Sequence, residues 1–198
     1  MDQTTSHGCH PAHNAARPTE ILTDEHRVIE RVLAALERLI VQPVGESLEQ
    51  WRKALQFFRH FADQCHHFKE ENVLFPAMEA RGIPRDGGPI GMMLIEHEEG
   101  RAHVRSMFDA AEQVADGHGA AAEILFRHAR AYVTLLREHI QKEDDILFRM
   151  ADEVIPDDEQ RRLLKRFEDF ELEDAGNGLH EKYLDMAMDL YAWSTKTT

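Results

Sequence analysis

Two ten-residue stretches of this 198-residue chain repeat one another. HHFKEENVLF begins at His66, and HIQKEDDILF begins 73 residues later at His139. The overlay places His66 on His139, Lys69 on Lys142, Glu70 on Glu143, and Val73-Leu74-Phe75 on Ile146-Leu147-Phe148. A His and a Glu four positions apart share one face of an α-helix. His67 and Glu71 have the same spacing but fall on Ile140 and Asp144, so the repeat selects His66/Glu70 and leaves His67/Glu71 as flanking or outer polarity. Upstream, Glu25-His26 shifted by 71 residues lands on Glu96-His97. Such a chain is expected to fold as two helical hairpins, each giving one His from its first helix and a His-x-x-x-Glu from its second.

The hydrophobic pattern agrees. Ile21, Leu22, Ile29, Val32, Leu33, Leu36, Leu39 and Ile40 are spaced for one buried helical face, with Thr19 as the expected N-cap. Ser47-Leu48-Glu49-Gln50 reads as a capping box opening a long helix that carries Leu55, Phe58, Phe61 and Leu74 and bends at Pro76. The Gly- and Pro-rich stretch from Arg81 to Pro89 breaks the chain before a third helix from about Gly91 to Ala115. A fourth is expected from about Ala120 to Asp152, a fifth from Pro156, and a short last one, after Gly176-Asn177-Gly178, ending near Trp193. No strand-like alternation appears. The expected fold is all-α: a flexible His-containing arm over 1–18, an antiparallel up-down four-helix bundle over 19–155, and a C-terminal helical extension over 156–198.

Charge narrows the partners. Asp and Glu number 37 against 23 Lys and Arg, a net charge of -14, which disfavours a nucleic-acid partner because phosphate binding needs clustered cations. With only two cysteines, Cys9 and Cys65, there is no disulfide framework. The N-terminus MDQTTSHGCHPAH has no basic region followed by an apolar one, and no apolar run approaches the ~18 residues of a membrane span. A cytoplasmic location is expected.

Four imidazoles (His26, His66, His97 and His139) and two carboxylates (Glu70 and Glu143) suit a pair of metal ions, each ion taking two imidazoles and both carboxylates bridging. Imidazole with carboxylate suits Fe, Zn, Mn or Cu. Taken singly, each of these histidines is more simply a hydrogen-bonded core residue; the repeat over four helices argues for ligation. Glu30 stands four after His26, but its counterpart is Arg101, so it reads as structural. Arg101, if turned inward, would favour an anionic peroxide or steer a proton. The arm's His7-Gly8-Cys9-His10-Pro11-Ala12-His13 holds soft ligands for Cu or Zn, though a His-rich tail is the plainer reading. Cys65 reads as a small buried residue, and His60, His103, His118, His128 and His180 as surface or core polarity.

The combination of Asp24-Glu25-His26, His66-His67-Phe68-Lys69-Glu70-Glu71 with Leu74-Phe75-Pro76, Glu96-His97, and His139 to Phe148 resembles the hemerythrin-like (HHE cation-binding) family over about residues 20–155. The tail Gly178 to Tyr183 resembles an extension of bacterial members. The resemblance implies a four-helix bundle around a non-haem di-iron centre ligated by His26, His66, Glu70, His97, His139 and Glu143, with the two Glu bridging. Oxygen-carrying hemerythrins have a second His one turn along the third helix, where this chain has Arg101, and an Asp at longer spacing on the fourth, where it has Glu143. Simple reversible O2 carriage is therefore disfavoured. The set is more similar to di-iron proteins linked to iron–sulfur repair and nitric-oxide stress.

The expected function is binding or reduction of a small oxidant (O2, peroxide or NO) at two Fe ions, with Mn or Zn as alternative metals. The competing reading is a non-catalytic iron protein for storage, donation or sensing. A closed structural zinc site fits less well, because six ligands exceed its tetrahedral need.

Overall fold

The computed structural model describes residues 17–175 and 179–196. Every regular element among them is helical. Helix α1 spans Pro18–Ile40. Helix α2 (44–80) joins α-helical Val44–Phe57, π-helical Phe58–His67 and Glu70–Leu74, and α-helical Phe75–Ala80. Helix α3 spans Pro89–Ala115. Helix α4 (121–154) joins Ala121–Lys142, π-helical Glu143–Leu147 and Phe148–Val154. Helices α5, Asp157–Ala175, and α6, Leu179–Thr195, complete the chain. The HGCHPAH arm and the Gly176-Asn177-Gly178 separator lie outside the described residues.

Local chemistry sets the helix ends, not always as expected. Arg17, not Thr19, is the N-cap of α1; Pro18 takes the first helical position, where its missing N–H costs nothing. The Thr19 hydroxyl instead donates to Asp152 across the fold at 2.9 Å. The capping box at Ser47 does not form either. Ser47 sits at a kink with φ -127° and ψ 15°, and its hydroxyl donates backward to the Pro43 carbonyl at 3.1 Å. Helices α2 and α3 close in Schellman motifs. Ile83 N–H reaches Met78 O and Gly82 N–H reaches Glu79 O, while His118 and Gly117 repeat the pattern onto Gln113 and Val114. Gly82 and Gly117 adopt φ of 92° and 89°, a region strained for any residue with a Cβ.

Helix α2 does not stop at Pro76. The Phe75 N–H bonds Glu70 O, five residues back. Pro76 has no N–H to offer the Asn72 carbonyl, and the Arg166 guanidinium of α5 fills that place at 2.9 Å.

Helix α1 packs against α2 and α4, α3 packs against α2 and α4, and α6 lies along α1 and α2. Two hydrophobic clusters result. One is built on Leu33, Leu36, Trp51, Phe58, Met107 and Leu136 and is joined by Tyr183 and Leu190 of α6. The other is built on Leu22, Leu74, Phe75, Met93 and Phe148 and is joined by Leu163 and Phe167 of α5. The repeat residues fall between these clusters along all four long helices. Among the described residues no helix is long and apolar enough to cross a membrane.

Candidate metal centre

Between the two clusters lies a fully buried polar layer: His26, His66, His67, Glu70, His97, His139 and Glu143, each no more than 4% exposed. Each helix gives what its repeat predicts. α1 brings His26, α2 His66 and Glu70, α3 His97, and α4 His139 and Glu143. The structure adds a seventh residue, His67.

The repeat leaves His67 outside the site, because its counterpart is Ile140, and in an α-helix successive residues diverge by about 100°. The stretch Phe58–His67 is π-helical, with wider turns and less rotation per residue. Both His66 and His67 therefore face inward. The equivalent stretch of α4 is ordinary α-helix, and its Ile140 joins the apolar core. The His67 ring stacks on that of His97, with centroids 3.8 Å apart and planes within 12°.

The potential ligand atoms gather into two groups, one of His26, His66, Glu70 and Glu143, the other of His67, Glu70, His97 and His139, with atoms in each within 4.8 Å of one another. Glu70 belongs to both: its Oε1 lies 3.5 Å from His66 Nε2, and its Oε2 lies 3.4 Å from His97 Nε2. Glu143 Oε2 lies 3.3 Å from His26 Nε2 and 3.2 Å from His139 Nε2, so it too straddles the groups. His97 and His139 bring their Nε2 atoms to 3.1 Å. Donors each about 2.0–2.2 Å from one ion lie about 2.9–3.5 Å apart in octahedral or tetrahedral arrangement, and these separations match.

Four imidazoles are fixed from behind. The Nδ1 atoms of His26, His66, His97 and His139 meet Asp144 at 2.8 Å, Glu25 at 2.9 Å, Glu71 at 2.6 Å and Glu96 at 2.9 Å. An Nδ1–H donated to a carboxylate leaves Nε2 as the free lone pair and fixes the ring, as ligating histidines require. The supports obey the same repeat: Glu25 and Glu96 precede the first-helix histidines, and Glu71 and Asp144 follow the glutamates. Lys69 bonds Glu25 and Lys142 bonds Glu96.

The electrostatics leave the layer short of cations. Burial and the neighbouring Glu143 push the Glu70 carboxyl well above the usual carboxylate range. Burial works against ionising Glu143, yet His139 and His26 outweigh it and hold that carboxyl well below its ordinary range. Burial also opposes charge on His139, but Glu143 and Glu96 raise it to about 9. Burial, with His26 and His67 nearby, lowers His66 to about 4 against the pull of Glu25. His67 and His97 are lowered too, chiefly by burial. Among the described residues, His26 Nε2, both His67 nitrogens and all four oxygens of Glu70 and Glu143 have no hydrogen-bond partner. Buried polar atoms are nearly always satisfied, so this many orphans gathered in one layer fit metal ions.

The remaining candidates lie outside both groups. Glu30 meets Arg137 at 3.3 Å. Arg101 does not turn into the site: Asp63, Glu71 and Glu98 each bind it at 2.7 Å. Cys65 is buried beside His66 with its Sγ 4.0 Å from His180 Nδ1. His60 bonds Gln64, His103 meets His128 at 3.0 Å, and His118 is exposed.

The hemerythrin HHE cation binding domain matches residues 17–151. An uncharacterized protein of Mycobacterium tuberculosis is 25% identical over 174 residues, spanning 86% of this chain and 68% of that protein. An uncharacterized protein of Mycobacterium bovis matches to the same extent. No solved structure gives a significant match.

Proposed function

The chain belongs to the hemerythrin HHE cation-binding family, and on that premise we propose that it is a di-iron protein that binds or reduces a small oxidant: O2, peroxide or NO. One observation carries the reading. The orphaned donors converge in two groups that share Glu70. One ion would take His26 and His66, the other His67, His97 and His139, with Glu70 and Glu143 bridging them. The packing of α1 and α3 each against α2 and α4 supports the up-down four-helix bundle.

The ions would supply electrons and Lewis acidity to the small ligand. The chain's own residues do the rest. Asp144, Glu25, Glu71 and Glu96 orient the imidazoles. The apolar clusters on either side exclude water. The His26 group would hold its ion with two imidazoles and the other group with three. Mn and Zn satisfy the same donors. A cytoplasmic setting and an external redox partner are part of the proposal.

Metal content per chain, measured by mass spectrometry on wild type and Glu70→Ala, tests it. About two Fe in wild type and fewer than one in the variant is the expected result, because Glu70 serves both groups. One Zn or none, unchanged by the variant, would sink the di-iron reading. Loaded protein is then assayed for peroxide and NO consumption; rapid surrender of iron to a chelator without turnover would favour iron donation instead.

A further inference from the structure

A second feature opens beside the polar layer and shares only His67 with it. Between α2 and α3 lies a half-open cavity of about 460 Å3. That is within the ~300–1,000 Å3 of small-molecule sites and far larger than a diatomic or peroxide needs. Its deep wall is Phe58, Val104, Tyr132 and His67, each buried. Its rim carries the exposed Arg59 and Arg105.

The charge on this rim is anomalous. On a chain of net charge -14, the lining holds three guanidiniums, Arg59, Arg101 and Arg105, against two carboxylates, Asp63 and Asp109. Arg101 and Asp63 satisfy each other. Neither Arg59 nor Arg105 has a carboxylate partner among the described residues; Arg59 lies 5.9 Å over the Phe108 ring at the cavity edge. Two uncommitted guanidiniums above an apolar wall form a site for a molecule with an anionic head and an apolar body. At the inner end, His67 has no hydrogen-bond partner on either ring nitrogen among the described residues.

We propose that this cavity binds an amphipathic monocarboxylate, its carboxylate on Arg59 and Arg105 and its apolar chain on Phe58, Val104 and Tyr132, directed at His67. The site does not depend on the di-iron reading. Occupancy would place an organic molecule against one member of the polar layer, and so give the centre a ligand class larger than a diatomic.

Decanoate is the probe, titrated by calorimetry into the full chain, both metal-loaded and metal-free. Saturable binding of one decanoate per chain is expected. Arg59→Gln with Arg105→Gln should weaken it by at least ~10-fold, the scale of a lost charge-assisted hydrogen bond. Both arginines are exposed, so these variants are expected to fold. Acetate, which lacks the body, and decanol, which lacks the charge, should each bind at least ~10-fold more weakly. Gly100→Leu is a second probe: a Cβ at Gly100 meets the Tyr132 ring at 3.5 Å, so a longer side chain extends into the cavity and should abolish binding. Absence of binding at millimolar decanoate, equal binding of decanol, or binding unaffected by the paired arginine variants would each overturn the proposal. Loss of metal in Glu70→Ala with decanoate binding intact would separate the two sites.

Discussion

Each of four imidazoles is gripped at Nδ1 by a carboxylate and presents Nε2 to the centre; the fifth is not gripped. His67 Nδ1 lies 3.5 Å from Asp63 Oδ1 without making a hydrogen bond. Its orientation rests on the stack with His97 and on the π-helical backbone. A ring so held is weakly oriented, and a metal would be what fixes it. His67→Ala is therefore expected to leave the His26 group occupied and to lower metal content from about two ions per chain to about one, measured beside Glu70→Ala. Unchanged content would make His67 a stacking neighbour and not a ligand. The supports make a graded comparison. Glu96→Ala removes the partner of His139 while leaving every donor in place, and metal affinity is expected to fall about 10–100-fold, read by competition with a chelator. No loss would mean that packing alone orients the ring.

The helices and six of the seven polar-layer residues were legible because a duplicated pattern needs only identity at a fixed offset. His67 was not, because its inward direction comes from backbone geometry that periodicity does not carry. The extension shows the same limit: its helices could be read, but not what they touch. Helix α5 reaches into the support of His66. Lys69, fully buried, bonds Glu25 on one side and Glu171 on the other and lies 5.6 Å over the Phe167 ring. The opposing carboxylates outweigh burial and keep Lys69 charged, and Lys69 with His66 holds Glu25 down at about 2 despite burial. Among the described residues its repeat partner Lys142 bonds only Glu96, and its side chain is 39% exposed. Sequence makes the two lysines equivalent; the extension makes them different. Lys69→Met strands a buried Glu25 and is expected to cost about 3–5 kcal/mol. Lys142→Met, at the surface, is expected to cost about 0–1 kcal/mol. Urea unfolding of the two variants decides it; equal losses would mean that α5 covers Lys69 without energetic consequence.

At the scale of the molecule, a polar layer divides one apolar interior into two clusters. Such a layer weakens a core unless its groups are satisfied, since each unpaired buried polar group costs on the order of 1–3 kcal/mol. The outer half of the layer is satisfied by carboxylate–imidazole and lysine contacts. The inner half is not: the Glu70 and Glu143 oxygens and the Nε2 atoms of His26 and His67 have no hydrogen-bond partner among the described residues. Helices α1, α2, α3 and α4 therefore meet at a point that cations would complete, and folding and metal binding should be coupled. At free metal about 100 times Kd, binding contributes about 2.7 kcal/mol. A domain of about 150–250 residues shifts by about 2–4 °C for each kcal/mol. Stripping the metal should thus lower Tm by roughly 5–11 °C in calorimetry, with full recovery on reloading. Glu70→Gln is the internal control. Burial and Glu143 hold the metal-free Glu70 carboxyl protonated, and Gln avoids taking up that proton on folding, so the metal-free variant should melt above metal-free wild type while gaining less on loading. A Tm unmoved by metal in both proteins would mean that shared protons complete the layer, and that the two clusters hold these helices together without ions.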